Sequence, residues 1–151
     1  MTEKGKKILA KIQRQCSRRE YCVSDIRKKL GRESEIDAAE AAEILKSLIG
    51  DRFVDDLRYA TAFSRDKASL AGWGAVKIRY ALSARGIPRN TIDEALAEID
   101  EKGASDKLDR LLETKAKTLE GDPQARLKLL KFALSRGYEY DEVRDRVSRF
   151  F

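Results

Sequence analysis

The chain repeats one pattern of apolar residues and glycines about every fifty residues. Residues 26–31 align with residues 78–83 at an offset of 52, and Arg85-Gly86-Ile87 aligns with Arg136-Gly137-Tyr138 at an offset of 51. The apolar positions beyond these glycines match at the same offset of 51, Ile92 and Leu96 with Val143 and Val147. Two offsets that agree to within one residue indicate a structural repeat. Units this small bury their open faces against their neighbours, so the repeat predicts an array of modules.

The residue types within each unit favour helix over strand. Only two of the 151 residues are proline, and only twenty are valine, isoleucine or threonine, the β-branched types that favour strands. A hydrophobic content of 42% is enough for a core, whereas a charged content of 38% is high for a compact domain. We therefore predict an all-α protein, an elongated tandem array of three three-helix repeats over residues 1–52, 53–102 and 103–151.

The middle unit carries clear signals for helix boundaries. Asp55 or Asp56 can accept hydrogen bonds from the free amides that open a helix. The Gly72-Trp73-Gly74 segment predicts a tight turn before a second helix. Gly86 predicts a left-handed residue that ends that helix, and Pro88 follows at a position suited to starting a third.

The outer units carry similar signals. We expect a basic amphipathic helix over residues 6–20, and Ser24 can cap a second helix over residues 25–30. Asp37-Ala38-Ala39-Glu40 has the spacing of a capping box. In the last unit, Gly121-Asp122-Pro123 predicts a break between two helices.

Several functional classes are excluded by what the sequence lacks. It contains no histidine and only two cysteines, Cys16 and Cys22, too few ligands for a zinc site. Catalysis that relies on histidine is excluded for the same reason. The Gly72-Trp73-Gly74 segment lacks the pattern of a nucleotide-binding loop. We predict no catalytic, cofactor or metal site and no enzyme activity. Without an apolar run that resembles a signal peptide or a membrane span, we expect a cytoplasmic protein with no membrane partner.

Basic residues recur near the middle helix of each unit, in segments without acids. The net charge is +6, which favours an anionic partner. These basic residues predict a cationic surface along the array that binds either a protein or the phosphates of DNA. The residues of this surface are Lys77, Arg79, Arg85, Arg89, Arg27, Lys28, Lys29, Arg126, Lys128, Lys131 and Arg136. The alternative is an ordinary solvated face whose acids complement helix N-termini. Lys77 and Arg79 lie about 200° apart on a helix, so such a surface has to be broad.

Aromatic residues are spaced through all three units and could stack on nucleic acid bases. Their spacing favours core or junction positions instead for most of this set, which consists of Tyr21, Tyr59, Trp73, Tyr80, Tyr138 and Tyr140.

The middle unit contains an ordered series of short motifs, Phe53-Val54-Asp55-Asp56, Arg58-Tyr59-Ala60, Phe63, Lys77-Ile78, Leu82, Arg85-Gly86-Ile87, Ile92 and Ala95-Leu96. In this series the unit resembles the RecX family of bacterial regulatory proteins. In the first unit, Ser24-Asp25-Ile26-Arg27-Lys28-Lys29-Leu30 also fits. The resemblance implies three tandem three-helix repeats and no catalysis. It implies binding to the RecA recombinase filament and inhibition of its ATPase, strand-exchange and coprotease activities, in DNA repair, recombination and the SOS response.

Direct binding to single- or double-stranded DNA by helix-turn-helix-like units is the alternative function. The balanced charge of the middle unit, nine bases and nine acids over residues 51–102, opposes tight binding to a duplex by that unit alone. We expect the chain to be a monomer.

Overall fold

A computed structural model describes residues 1–151, and all of its regular structure is helical. The helices are α1 Glu3–Cys16, α2 Val23–Gly31, α3 Ala38–Gly50, α4 Asp56–Ser69, α5 Ala75–Ala84, α6 Arg89–Ala97, α7 Glu101–Thr118, α8 Ala125–Ser135 and α9 Tyr140–Val147. None of them combines the length and the apolar character needed to cross a bilayer. The predicted all-α class is confirmed.

Buried apolar side chains form three separate clusters in chain order. The first contains Ile8, Ile12, Ile26, Leu30, Ile44, Leu48 and Val54. The second contains Cys22, Tyr59, Ala60, Ile78, Leu82, Ile87, Ile92 and Ala95. The third contains Leu108, Leu112, Ala116, Leu119, Ala125, Leu129, Ala133, Tyr138, Val143 and Val147. Each cluster joins three successive helices, so the tandem three-helix repeat is confirmed. The boundaries predicted at residues 52/53 and 102/103 stay a prediction.

The accessible surface area of the chain is that of an elongated array of three units. It measures 9633 Å², whereas a compact monomer of this mass exposes about 7800 Å². The middle and last units meet where α4 packs against α7. The surplus surface follows from dividing the apolar residues among three small cores instead of one.

The first and second units are joined by polar contacts and one shared side chain. Cys22 precedes α2 but is fully buried in the second cluster. The Val23 amide donates to Asp56 at 2.9 Å, and Arg58 donates to Glu20. These contacts fix the start of α2 against the start of α4.

The second and third units approach each other backbone to backbone. The Gly74 amide donates to the Arg136 carbonyl at 2.7 Å, and the Val76 amide donates to the Gly137 carbonyl at 3.0 Å. The buried hydroxyl of Tyr138 donates to the Gly72 carbonyl at 3.0 Å. Gly137 has a φ of 93°, in the left-handed region where glycine is favoured. The glycine that ends α8 therefore also forms the junction between the units.

Several helix boundaries agree with the sequence-based predictions. Asp55 accepts from the Arg58 amide at 3.0 Å, as expected of an N-cap. Gly86 has a φ of 75°, and the Ile87 amide donates back to Leu82 at 3.3 Å. Pro88 immediately precedes α6. These predictions are confirmed because each depends only on residues within one turn.

Other boundaries differ from the predictions. The first helix occupies residues 3–16, not 6–20, and α2 begins after Cys22, not after Ser24. The Cys22 amide donates to Asp25 at 3.1 Å, which moves the start of the helix back by two residues. In the predicted capping box, Asp37 accepts from the Glu40 amide at 2.8 Å. The Glu40 carboxylate instead accepts from Thr2, across the unit.

The aromatic residues divide between core and surface. Tyr59 and Tyr138 are buried, and Trp73 packs against the second cluster, in agreement with the prediction. Tyr80 is 79% exposed and Tyr140 is 51% exposed, so these two are the members of the set that lie outside the cores. Tyr80 follows buried Ile78 by two residues, about 200° around α5, and therefore faces away from the core.

Candidate interaction surface

Three cations in the middle unit lie over a line of aromatic rings. Tyr59 stacks on Phe63, and Phe63 meets Trp73 edge to face, with ring centroids 6.1 and 6.2 Å apart. The Arg85 guanidinium lies 5.4 Å from the Phe63 centroid. The Lys67 and Lys77 ammonium groups lie 4.8 and 4.4 Å from the Trp73 centroid. Helices α4 and α5 and the turn between them thus fix three positive charges on one side of the unit.

The outer units place cations over rings in the same way. In the first unit, Arg19 and Lys29 each lie 4.7 Å from the centroid of Tyr21. In the third unit, Lys115 and Arg136 lie 5.5 and 5.3 Å from the centroid of Phe132. We call this set the aromatic–cation row; Arg144, which lies 6.0 Å from the Tyr140 centroid, is left out of it because Asp145 lies 3.4 Å from its guanidinium. Its cations are Arg19, Lys29, Lys67, Lys77, Arg85, Lys115 and Arg136.

A hydrogen bond at the junction of the second and third units links two parts of the row. The Arg136 guanidinium donates to the Ala71 carbonyl at 3.4 Å, which joins the third-unit site to the turn that carries Trp73. At the other end, burial raises the pKa of Tyr59, while Arg85 and Arg19 act in the opposite direction. Of these two cations, Arg85 lies over the ring, with its guanidinium 5.7 Å from the Tyr59 centroid.

No cation of the row lies within 4.0 Å of a carboxylate. A cation over an aromatic ring gains about 0.5–1 kcal/mol at an exposed site, enough to limit its rotamers without neutralising its charge. The row therefore presents seven partly ordered positive charges that remain available to an external anion. A partner with regularly spaced negative charge is the chemistry that complements it.

Four of the eleven cations predicted from the sequence lie over aromatic rings. Lys29, Lys77, Arg85 and Arg136 belong to the row. Two others already have carboxylate partners, Arg79 with Asp93 at 2.7 Å and Lys128 with Asp122 at 2.6 Å. The Lys128 ammonium also lowers the pKa of Asp122. The remaining five are exposed and have no carboxylate within 4.0 Å, namely Arg27, Lys28, Arg89, Arg126 and Lys131.

Three cations of the row are absent from the sequence-based prediction, Arg19, Lys67 and Lys115. Lys67 follows Phe63 by four residues, and Arg136 follows Phe132 by four. Residues spaced in this way are neighbours on a helix surface, so the recurring pair could have been recognised. The contact between Lys115 and Phe132 joins two helices, α7 and α8, and no short sequence pattern indicates it.

Comparison with known proteins identifies similar chains. The family model described as RecX, second three-helix domain, matches residues 55–96. The regulatory protein RecX of Chromohalobacter salexigens is 33% identical over 131 residues, which cover 85% of this chain and 82% of that protein. The RecX of Clostridium botulinum strain Eklund 17B is 35% identical over 97 residues. That match covers 62% of this chain and only 45% of the clostridial protein.

A solved structure shares the architecture over the whole chain. The crystal structure of RecX from Lactobacillus salivarius superposes with a TM-score of 0.86, covering 99% of this chain and 98% of that one. Sequence identity between the two is 22%, so this likeness concerns the fold alone.

Proposed function

The chain belongs to the RecX family of regulatory proteins, and on that premise we propose that it binds a RecA recombinase filament on DNA. The surface that we assign to this contact is the aromatic–cation row. The single observation that carries the assignment is that each of the three units holds cations over aromatic rings, seven in total, with no carboxylate within 4.0 Å of any of them. A row of this kind complements a repetitive anionic target better than a single compact ligand.

The aromatic–cation row can make several weak contacts with the filament at the same time. Each exposed ion pair contributes about 0.2–1 kcal/mol, which is too little to hold a complex alone. The three units are covalently joined, so the second and third contacts form at a high effective concentration once the first is made. The affinity for a polymeric target then greatly exceeds that of any one unit.

In this proposal the chain lies in the helical groove of the nucleoprotein filament, where it inhibits the recombinase without any catalysis of its own. A bound row excludes a second DNA molecule or a repressor substrate from the same groove, which would inhibit strand exchange and coprotease activity. Contacts to successive subunits also oppose the rearrangement that accompanies ATP turnover. The protein acts in this proposal as a steric and conformational inhibitor, and its residues take no part in ATP hydrolysis.

Recombinase ATPase on single-stranded DNA tests the proposal. The variant Lys29→Glu/Lys67→Glu/Lys77→Glu reverses three charges of the row, and Lys7→Glu/Lys46→Glu/Lys102→Glu reverses three exposed lysines elsewhere. Each triple variant lowers the net charge from +6 to zero, so the two variants are matched in net charge. We expect the concentration needed for half inhibition to rise about tenfold or more in the first variant only. Equal inhibition by both variants would refute the assignment of the aromatic–cation row as the surface that contacts the recombinase.

Direct DNA binding is distinguished by titration with DNA in the absence of recombinase. Nanomolar affinity at physiological salt, with a steep dependence on salt concentration, would favour a protein that acts on DNA alone. Weak binding to DNA combined with strong inhibition of the recombinase would favour the regulator.

A further inference from the structure

An open groove between α7 and α8 is lined by cations and contains no carboxylate. Its volume is about 470 Å³. Four basic side chains line it together with two hydroxyls and two apolar side chains, namely Lys107, Arg110, Lys115, Arg136, Thr114, Thr118, Leu111 and Phe132. Only Arg136 is among the cations predicted from the sequence, and two of the four, Lys107 and Arg110, lie outside the aromatic–cation row.

The arrangement of charge around α7 explains why the groove has no acid. At about 100° per residue, positions 107, 110, 114, 115 and 118 fall within an arc of about 140°. The acids Asp106, Asp109 and Glu113 fall within about 60° on the other side of the helix. The buried residues Leu108 and Leu112 lie between the two arcs on one side of the helix, whereas on the other side Asp106 lies about 40° from Arg110. The core stripe therefore separates the basic stripe from the acidic one along one edge only.

The groove cations are unpaired, although other cations of the same unit are paired. Arg146 lies 2.7 Å from Asp109, and Lys128 lies 2.6 Å from Asp122. None of the four groove cations has a carboxylate within 4.0 Å. Four like charges around one groove repel one another, and an anion in the groove would relieve that repulsion.

We propose that this groove binds the phosphodiester backbone of one nucleic-acid strand. The planar guanidinium groups of Arg110 and Arg136 suit bidentate contact with phosphate, and the Thr114 and Thr118 hydroxyls are further donors. Lys115 and Arg136 cover the Phe132 ring, so the aromatic residue orders the cations and is not a stacking platform for a base. The groove therefore recognises phosphate without reading sequence.

The dimensions of α7 suit several phosphates. From Lys107 to Thr118 the stripe is about 16 Å long at 1.5 Å per residue. Four cations can contact up to four phosphates, and release of their counterions makes binding to a single strand depend on salt with a logarithmic slope of about −2.8. The assignment deepens the proposed function, because a recombinase filament supplies the DNA strand.

Anisotropy of a short fluorescent oligo(dT) with the full chain tests the groove. Lys107→Gln/Arg110→Gln removes two groove cations, and Lys102→Gln/Arg149→Gln removes one lysine and one arginine that do not line it. We expect the groove variant to bind at least tenfold more weakly at low salt, with a slope near −1.4 in place of about −2.8. The control variant should keep the slope of the unaltered chain. Thermal unfolding followed by circular dichroism checks that both variants fold.

Two probes distinguish phosphate from other anions. A methylphosphonate oligonucleotide of the same sequence has no backbone charge and should not bind. Oligo-glutamate should bind more weakly than oligo(dT) and should not discriminate between the two variants. A preference for oligo-glutamate that is lost in the groove variant would identify an acidic protein segment as the occupant and overturn the proposal.

The proposal for the groove and the proposal for the aromatic–cation row can be refuted independently of each other. Oligo(dT) binding that is equal in the groove and control variants refutes the groove, whatever happens to recombinase inhibition. Loss of oligo(dT) binding in the groove variant supports the groove even if the Lys29→Glu/Lys67→Glu/Lys77→Glu variant still inhibits the recombinase.

Discussion

Alanine at Gly137 tests the close approach between the second and third units. A Cβ atom there would meet Cβ of Lys77 and would lie 2.6 Å from the Lys77 amide nitrogen, a separation that real Cβ atoms essentially never show. The φ of 93° adds a strain of about 1–2 kcal/mol for any residue with a side chain. Overpacking against a fixed backbone adds about 1–3 kcal/mol. The expected loss of stability is therefore about 2–5 kcal/mol.

Two other glycines separate backbone strain from the steric clash, and a third serves as a control. Gly121 has a φ of 80° and open space around it, so Gly121→Ala should show the strain alone, about 1–2 kcal/mol. Gly74 has a φ of −82°, but a Cβ there would meet the Gly137 carbonyl and lie 2.7 Å from the Tyr138 amide. Gly74→Ala should thus show the clash alone. Gly50 is helical with nothing nearby, and Gly50→Ala should stabilise the chain by about 0.5–1 kcal/mol.

Urea unfolding followed by circular dichroism and by Trp73 fluorescence measures these differences. Trp73 is the only tryptophan and lies in the turn next to the junction, so its emission reports on this region directly. A Gly137→Ala variant no less stable than Gly121→Ala would refute the reasoning, because it would mean that the two units separate without cost. The aromatic–cation row would then not be held in line across that junction.

Three further predictions concern caps and the buried tyrosine. Asp56→Ala leaves the Val23 amide without its partner at the first junction and should cost about 1–3 kcal/mol in urea unfolding. Asp37→Ala removes the N-cap of α3 and should cost about 1 kcal/mol by the same measurement, with a smaller loss than for Asp56→Ala. Burial raises the pKa of Tyr138 in the folded chain above the ordinary tyrosine pKa of about 10. The neutral Tyr138 side chain therefore contributes its full stabilisation below about pH 10, and this stabilisation is lost as the pH rises through the pKa of the folded chain. Tyr138→Phe should cost about 1 kcal/mol near neutral pH, from the lost hydrogen bond to Gly72, and should weaken this alkaline loss in pH-dependent thermal melts.

Local signals in the sequence determined the class of the fold and most helix ends. Asp55 and Asp37 cap helices as predicted, and the residues after Gly86 and Gly137 turn back onto their units. Each of these features depends on side chains and amides within a turn of one another. Their spacing along the chain is therefore sufficient to recognise them.

Contacts between helices decided what local spacing could not. Cys22, which the sequence places in the first unit, is buried in the core of the second unit. Lys77 and Arg79 share one short basic segment, yet one lies over Trp73 and the other pairs with Asp93.

The candidate surface depends on the same distinction. Helical periodicity indicates which residues share a face of a helix, but it does not indicate which other helix packs against that face. Lys115 meets Phe132 only because α7 packs beside α8, and Arg136 reaches Ala71 only because the glycines at the junction let two backbones touch. The repeat itself, and the number of positive charges, could be read from the sequence. Which charges stay unpaired and lie over aromatic rings was decided by the packing of the helices.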